Sequence, residues 1–517
     1  MDEKTAVSQN SSPLLTEPIL PKEPIAKAQK YAYDGKDALF AVLFYLLGYG
    51  FIRWFSQLVS YGAATTIYVF AYVAAVYFYL RAKGKAVPKE SRFWLLLLLL
   101  TAISYSLWEN SVFAGFKLLF LLCVTVYWTL YAADALAYGK TSAAFILDGA
   151  RGFFMYPFMG FGHLFNAIMA WLRPKCRMSQ GKGKSIIAAL CGGGITLILL
   201  GIILPQLSAA DAQFARITRE LIKLIPNIFA SVHLFQMLLA LPVAFYLFGL
   251  LFSAAHSKKA NTESIEKQAS AVKILPNITI AISLISIAIV YILFISLQAG
   301  NMFSAFFGKT YGGASFSEYA RSGFFNLCGV AALNAAIIIS AASTAKIKWD
   351  NNALLRVLST IISLLTILLI FTSASKMLLY IGEYGLTVKR FTTLAFLGFL
   401  LVFFALIIAR GQKSFSVARV SLCVFSAGFA ILLCINVGGI ITGYNADKYL
   451  NGSIKDYGID VFWQTGYDGI AAARQINKAN KNNKDEEILS FVNYYNSLSS
   501  RQNHWRDFNL SKAMAKK

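Results

Sequence analysis

From Asp37 to Ile441 the chain is one hydrophobic run after another, each about as long as a bilayer is thick and set off by short basic stretches. The runs are Asp37 to Ile52, Tyr61 to Leu80, Phe93 to Trp108, Ser111 to Leu136, Ser185 to Leu204, Ile228 to Ala254, Ile278 to Leu297, Phe324 to Ala345, Val357 to Ser375, Phe391 to Ile408 and Val420 to Ile441. They are apolar on every face, whereas the strands of a transmembrane barrel alternate over about ten residues, so the runs predict helices. The expected fold class is therefore all-α: a polytopic integral membrane helical bundle of about eleven transmembrane helices.

Composition removes the main competitor. With 57% hydrophobic and 14% charged residues, a soluble enzyme carrying a single anchor does not fit. Three regions follow. Residues 1–36 hold five acidic and five basic side chains among Pro13, Pro18, Pro21 and Pro24, the pattern of a mobile, disordered polar leader without a cleavable signal. Residues 37–443 form the transmembrane domain, and residues 444–517 a small helical tail. If the leader is cytoplasmic, roughly 27 Lys and Arg fall on the cytoplasmic side and roughly 9 in membrane-proximal outer loops, as the positive-inside rule requires. An odd helix count then puts the tail outside. The expected location is the bacterial cytoplasmic (inner) membrane, multi-pass, with the N-terminus cytoplasmic.

The net charge of +23 sits mainly in short loops beside the membrane. There each basic residue can meet anionic headgroups for about 1 kcal/mol, so the expected partners are membrane lipids at the cytoplasmic face and no nucleic acid. Cys123, Cys176, Cys191, Cys328, Cys423 and Cys434 show no CxxC and read as small hydrophobes. His163, His233, His256 and His504 are scattered without metal-ligand spacing, so no metal and no cofactor are expected.

Several segments break the pattern. Residues 141–175 mix Phe153, Phe154, Tyr156, Phe158, Phe161 and Trp171 with Arg151, His163 and Arg173 around Pro157, which suits an interfacial segment on the cytoplasmic face. In the outer loop Gln206 to Pro226, apolar residues three and four apart describe an amphipathic surface helix. Asn334, Lys117 and Asp134 are polar groups at or near membrane depth, costly unless paired or near an interface. The tail also offers a surface through which a protein partner could be engaged.

Two constellations flank outer loops in this topology. Glu318, Tyr319, Arg321 and Asn326 enter the eighth run; Lys376, Tyr380, Glu383, Tyr384, Lys389 and Arg390 surround the exit of the ninth. Together they form the candidate polar cluster, with the cations arranged for an anionic headgroup or solute and the tyrosines orienting it; a structural salt-bridge network is the rival reading. No catalytic residues are assigned.

These residues also carry a resemblance. Ser208, Ala209, Ala210 and Asp211 with Phe214, then Tyr319, Ala320 and Arg321 with Gly323, Phe324 and Phe325, then Leu379, Tyr380 and Ile381 with Tyr384, Gly385, Leu386, Thr387 and Arg390, form a set. Tyr444, Asn445, Lys448, Tyr449 and Leu450 extend it, and the stretch Trp505 to Lys512 closes it. The set resembles the bacterial polytopic membrane family catalogued as domain of unknown function 4173, with the related 4153 group. The resemblance runs from about the fifth helix to the C-terminus, departs at Ala210, Ser322 and Lys376, and implies membrane location and fold type but no activity, substrate or cofactor.

The leading expectation is thus a non-enzymatic protein that binds or moves an envelope lipid or anionic solute at the outer face. An accessory or signalling-associated envelope protein is the first alternative. An enzyme acting on a lipid-linked substrate, with Glu318 or Glu383 as acid or base, is the second.

Overall fold

A computed structural model describes residues 31–55, 62–176, 206–224, 232–257, 262–304, 316–347, 349–479, 485–501 and 505–516, with isolated positions between 192 and 204 and at 307. Among the described residues nine helices are long and apolar enough to cross a membrane, and Ser91–Leu107 is a shorter apolar helix. In chain order these ten are α1 (Gly35–Phe55), α2 (Ala63–Ala82), α3 (Ser91–Leu107), α4 (Ala114–Ala132), α5 (Val232–His256), α6 (Asn277–Ser304), α7 (Phe316–Thr344), α8 (Ala353–Tyr384), α9 (Val388–Gln412) and α10 (Val417–Cys434). The protein is an all-α polytopic membrane bundle. The run expected at Ser185 to Leu204 and the leader up to residue 30 lie almost wholly outside the described residues.

Side-chain pairings fix the directions of the helices. Phe44 meets Phe248, and Tyr31, just ahead of α1, meets His256, so α5 runs antiparallel to α1 and finishes where α1 starts. Tyr79 near the end of α2 reaches Asp37 in the first turn of α1, and Tyr127 near the end of α4 stacks on Trp94 at the start of α3. Both α4 and α5 therefore end at the end of the bundle where α1 begins. Leu275 bridges Ala345, and Arg410 pairs with Asp350 at 2.5 Å, so α6 through α10 continue up and down. The chain after α10 accordingly emerges at the end opposite Asp37, here called the tail end.

Lipid tails are as apolar as leucine, so helices in a bilayer associate through close packing and not through exclusion of water. Gly48 shows how: a Cβ there would lie 2.6 Å from the Ala240 carbonyl oxygen, so only glycine lets α1 and α5 come this near. One packed cluster joins α1 to α5 around Phe44, Tyr72, Tyr79, Trp128 and Phe248, and a second joins α6 to α10 around Leu284, Ile362, Phe404 and Leu433. Phe120 against Phe429 and the Trp108 indole donating to the Cys434 carbonyl at 2.9 Å tie the halves together.

Residues 145–176 do not cross the bundle, but neither do they simply lie on its surface. Gly152 sits against Val126 and Leu130 of α4, and Gly160 packs backbone to backbone on Gly249 of α5. At 1.5 Å per residue, Gly249 is about 10 Å along α5 from His256, so the segment is wedged inward between the two helices. Pro157 has no N–H for the carbonyl of Phe153, and Tyr246 of α5 donates to that oxygen at 3.1 Å instead.

Beyond α10 comes α11 (Val437–Leu450), followed by helices Ile459–Thr465, Ile470–Ala479, Glu486–Arg501 and Leu510–Ala515. Phe462, Ile476, Ile488 and Phe491 are fully buried together as a small core of their own. The helices α8, α9, α10 and α11 each open on a side-chain cap: Asn352, Thr387, Ser416 and Asn436 accept the backbone N–H three residues on.

Candidate functional site

Lys376, Tyr380 and Tyr384 are four residues apart on α8 and so share one face of the helix. Burial falls along that face toward the tail end: Lys376 is 3% exposed and Tyr384 is 47% exposed. The Tyr380 and Tyr384 rings meet edge to face at 5.0 Å, and the Arg390 guanidinium lies over the Tyr380 ring at 4.0 Å. The same guanidinium donates to the carbonyls of Tyr384 and Gly385, satisfying acceptors that the end of α8 leaves open. Four of the ten residues of the expected cluster, Lys376, Tyr380, Tyr384 and Arg390, therefore stand together as a ladder of cation and ring. Glu383 and Lys389 point outward and are exposed, and Asn326 on α7 is exposed too. Among the described residues no ion pair reaches Glu383. The side chains of Glu318, Tyr319 and Arg321 lie outside the described residues, and so does their expected meeting with the α8–α9 turn.

The turn beneath this ladder is held by one amide. Asn445 of α11 accepts from the Leu386 N–H at 2.6 Å and donates to the Leu386 and Tyr457 carbonyls at 2.9 and 3.1 Å. Gly385 beside it has φ +75°, where a side chain is strained, and a Cβ there would lie 2.8 Å from the Asn445 oxygen. Two of the motif segments, Tyr384 to Thr387 and Tyr444 to Leu450, thus meet in space. A third, Asp211 with Phe214, is a local cap: the Asp211 carboxylate accepts the Phe214 N–H at 2.6 Å at the head of the helix Ala212–Leu224.

A second polar site has no counterpart in the expected cluster. At the tail end, the Asp468 carboxylate accepts from the Glu109 and Asn110 N–H groups at 3.2 and 2.8 Å and from the Ser511 hydroxyl. Glu109 in turn accepts from the Tyr467 N–H at 2.9 Å. Burial pushes both carboxyls above their ordinary range, opposed by the hydrogen bonds they accept and by the neighbouring Lys117. Lys117 does not reach outward. It is 2% exposed, its ammonium donates to the Ser104 and Trp108 carbonyls at 3.2 and 3.4 Å, and it sits 4.2 Å above the Tyr105 ring.

At the opposite end, Lys83 pairs with Asp37 at 2.7 Å and Asp34 at 3.0 Å while the Tyr79 hydroxyl donates to Asp37 at 3.0 Å. Beside them the His163 and His256 rings each lie against Phe252, with centroids 4.2 Å away, and Tyr33 bonds His163 Nδ1 at 2.7 Å. Burial lowers the His163 pKa to about 4, helped by His256, so this ring stays neutral at physiological pH. Mid-bundle, Asn334 is paired as its depth demands, accepting from Tyr291 at 2.6 Å and donating to Thr366 at 2.8 Å. Among the described residues there is no group of three metal-ligating side chains.

Fold and site define a helical membrane protein with built polar junctions at both ends of the bundle. The chain belongs to the family described as domain of unknown function (DUF4153), whose family profile matches residues 95–475, nearly three-quarters of the sequence. This is the 4153 group, and the match includes both halves of the α8–α11 contact as well as Glu109 and Asp468. Comparison with curated proteins and with solved structures gives no match.

Proposed function

We propose that this protein is a non-enzymatic protein of the bacterial cytoplasmic membrane that binds, and in binding can move, an anionic lipid headgroup or solute at the tail end of the bundle, the outer face when the N-terminus is cytoplasmic. The observation that supports this reading is the α8 ladder: a lysine 3% exposed, reached from the surface through Tyr384, Tyr380 and the ring-stacked Arg390. An ionisable side chain inside a membrane bundle is expensive and is retained where it serves a ligand or pathway. Beneath Lys376 the same packed face of α8 carries Ser373, Thr366, Ser363 and Ser359, all buried. The hydroxyls of Ser373, Thr366 and Ser363 bond carbonyls four residues back, which satisfies them without closing them to a passing solute.

The test is mass spectrometry of the lipids and small anions that copurify with the full chain and with Lys376→Met, which keeps length and removes charge. The reading predicts loss of at least one anionic species from a variant that melts within a few degrees of the parent. An unchanged profile would remove Lys376 from any binding role and leave the ladder as helix packing.

A further inference from the structure

We infer a second anion site, at the opposite end of the bundle, in the cleft between the start of α8 and the end of α9. The cleft has a volume of about 320 Å³ and is lined by Arg356, Val357, Thr360, Ile361, Ile408 and Gln412. Three features converge on its occupant. First, Arg356 Nε is buried and has no hydrogen-bond partner, a costly arrangement for a guanidinium that is always charged. Second, Val357, Ile361 and Ile408 make the wall apolar toward the middle of the membrane, with Val357 55% and Ile361 37% exposed to the lipid side. Third, among the described residues the lining holds no carboxylate, and Asp350 of the adjoining turn is paired with Arg410 at 2.5 Å, so a positively charged headgroup finds no counter-ion there.

A guanidinium at headgroup depth above an apolar wall matches one ligand: an anionic phospholipid, its phosphate on Arg356 and its acyl chains along Val357, Ile361 and Ile408. Gly411 lies at the rim, where a Cβ would come 3.1 Å from the Thr360 hydroxyl, so glycine keeps α8 and α9 close enough to form the cleft. This site is separate from the α8 ladder and does not rest on the function proposed for it.

The experiment is native mass spectrometry of the delipidated full chain in detergent, titrated with phosphatidylglycerol, with phosphatidylcholine of the same acyl chains, and with glycerol 3-phosphate as a soluble competitor. The parent is expected to bind one phosphatidylglycerol in preference to phosphatidylcholine, with glycerol 3-phosphate failing to displace it. Arg356→Gln should weaken that binding roughly tenfold, the effect of losing one charge-assisted bond. Ile408→Trp fills the cleft while keeping every charge and should weaken it as well, which covers the case of a misfolded Arg356 variant. The losses caused by Arg356→Gln and Ile408→Trp should recur in a Lys376→Met background, separating this site from the ladder. Equal binding by the parent, Arg356→Gln and Ile408→Trp would overturn the assignment. So would displacement by glycerol 3-phosphate, which would make the ligand a soluble phosphate ester.

Discussion

At the scale of single residues, the side chains that hold this protein together are those that answer stranded backbone groups. Asn445 closes the α8–α9 turn by pairing with both the N–H and the carbonyl of Leu386. Replacing it with alanine leaves those buried groups without partners, and we expect Asn445→Ala to lose about 3 kcal/mol of stability, read as a lower thermal midpoint in detergent. A variant that melts with the parent would show that water or a neighbour replaces the amide. The motif containing Asn445 is legible in the sequence, but its partner Leu386 is 59 residues away, and no local pattern links the two. Lys117 marks another limit. Its place near a helix end suggests a side chain extended to the surface, yet the nearby carbonyls of Ser104 and Trp108 and the Tyr105 ring offer it a buried berth.

At the scale of elements, the long helices were legible because an unbroken apolar run leaves the backbone one way to satisfy itself in lipid. The 145–176 segment was harder to read, because aromatic and basic residues suit both a surface helix and a wedge. Only the Gly160–Gly249 contact and the Tyr246 bond to Phe153 distinguish them. The docking of the tail was not legible at all: Glu109 and Asp468 are ordinary loop carboxylates until the fold brings them together. Their behaviour with pH follows from burial. Each carboxyl is raised above its ordinary range in the docked state, so its stabilising contribution is full below that range and is lost as pH rises through the raised value. The parent should therefore melt at a lower temperature as pH rises from the ordinary carboxyl range, about 4, toward neutrality. Glu109→Gln keeps an acceptor for the Tyr467 N–H but cannot ionise, so its melting temperature should vary less over the same interval. Identical pH slopes for the two proteins would place the titration elsewhere.

At the scale of the whole molecule, the two ends of the bundle differ. Asp37, Lys83 and the His163–Phe252–His256 stack share one end of the bundle, while Glu109, Asp468 and the α8–α9 turn share the other. The pairings between the helices put the start of α1 and the chain after α10 at opposite ends of the bundle. The basic loops favour a cytoplasmic N-terminus. The most direct test is labelling with a membrane-impermeant thiol reagent in a variant lacking the native cysteines, with one cysteine introduced at exposed Lys89 or at exposed Ser453. Ser453→Cys is expected to react in intact cells and Lys89→Cys only after the membrane is permeabilised. Reaction of both positions from the same side would contradict the account, because the two ends of the bundle would then face one compartment.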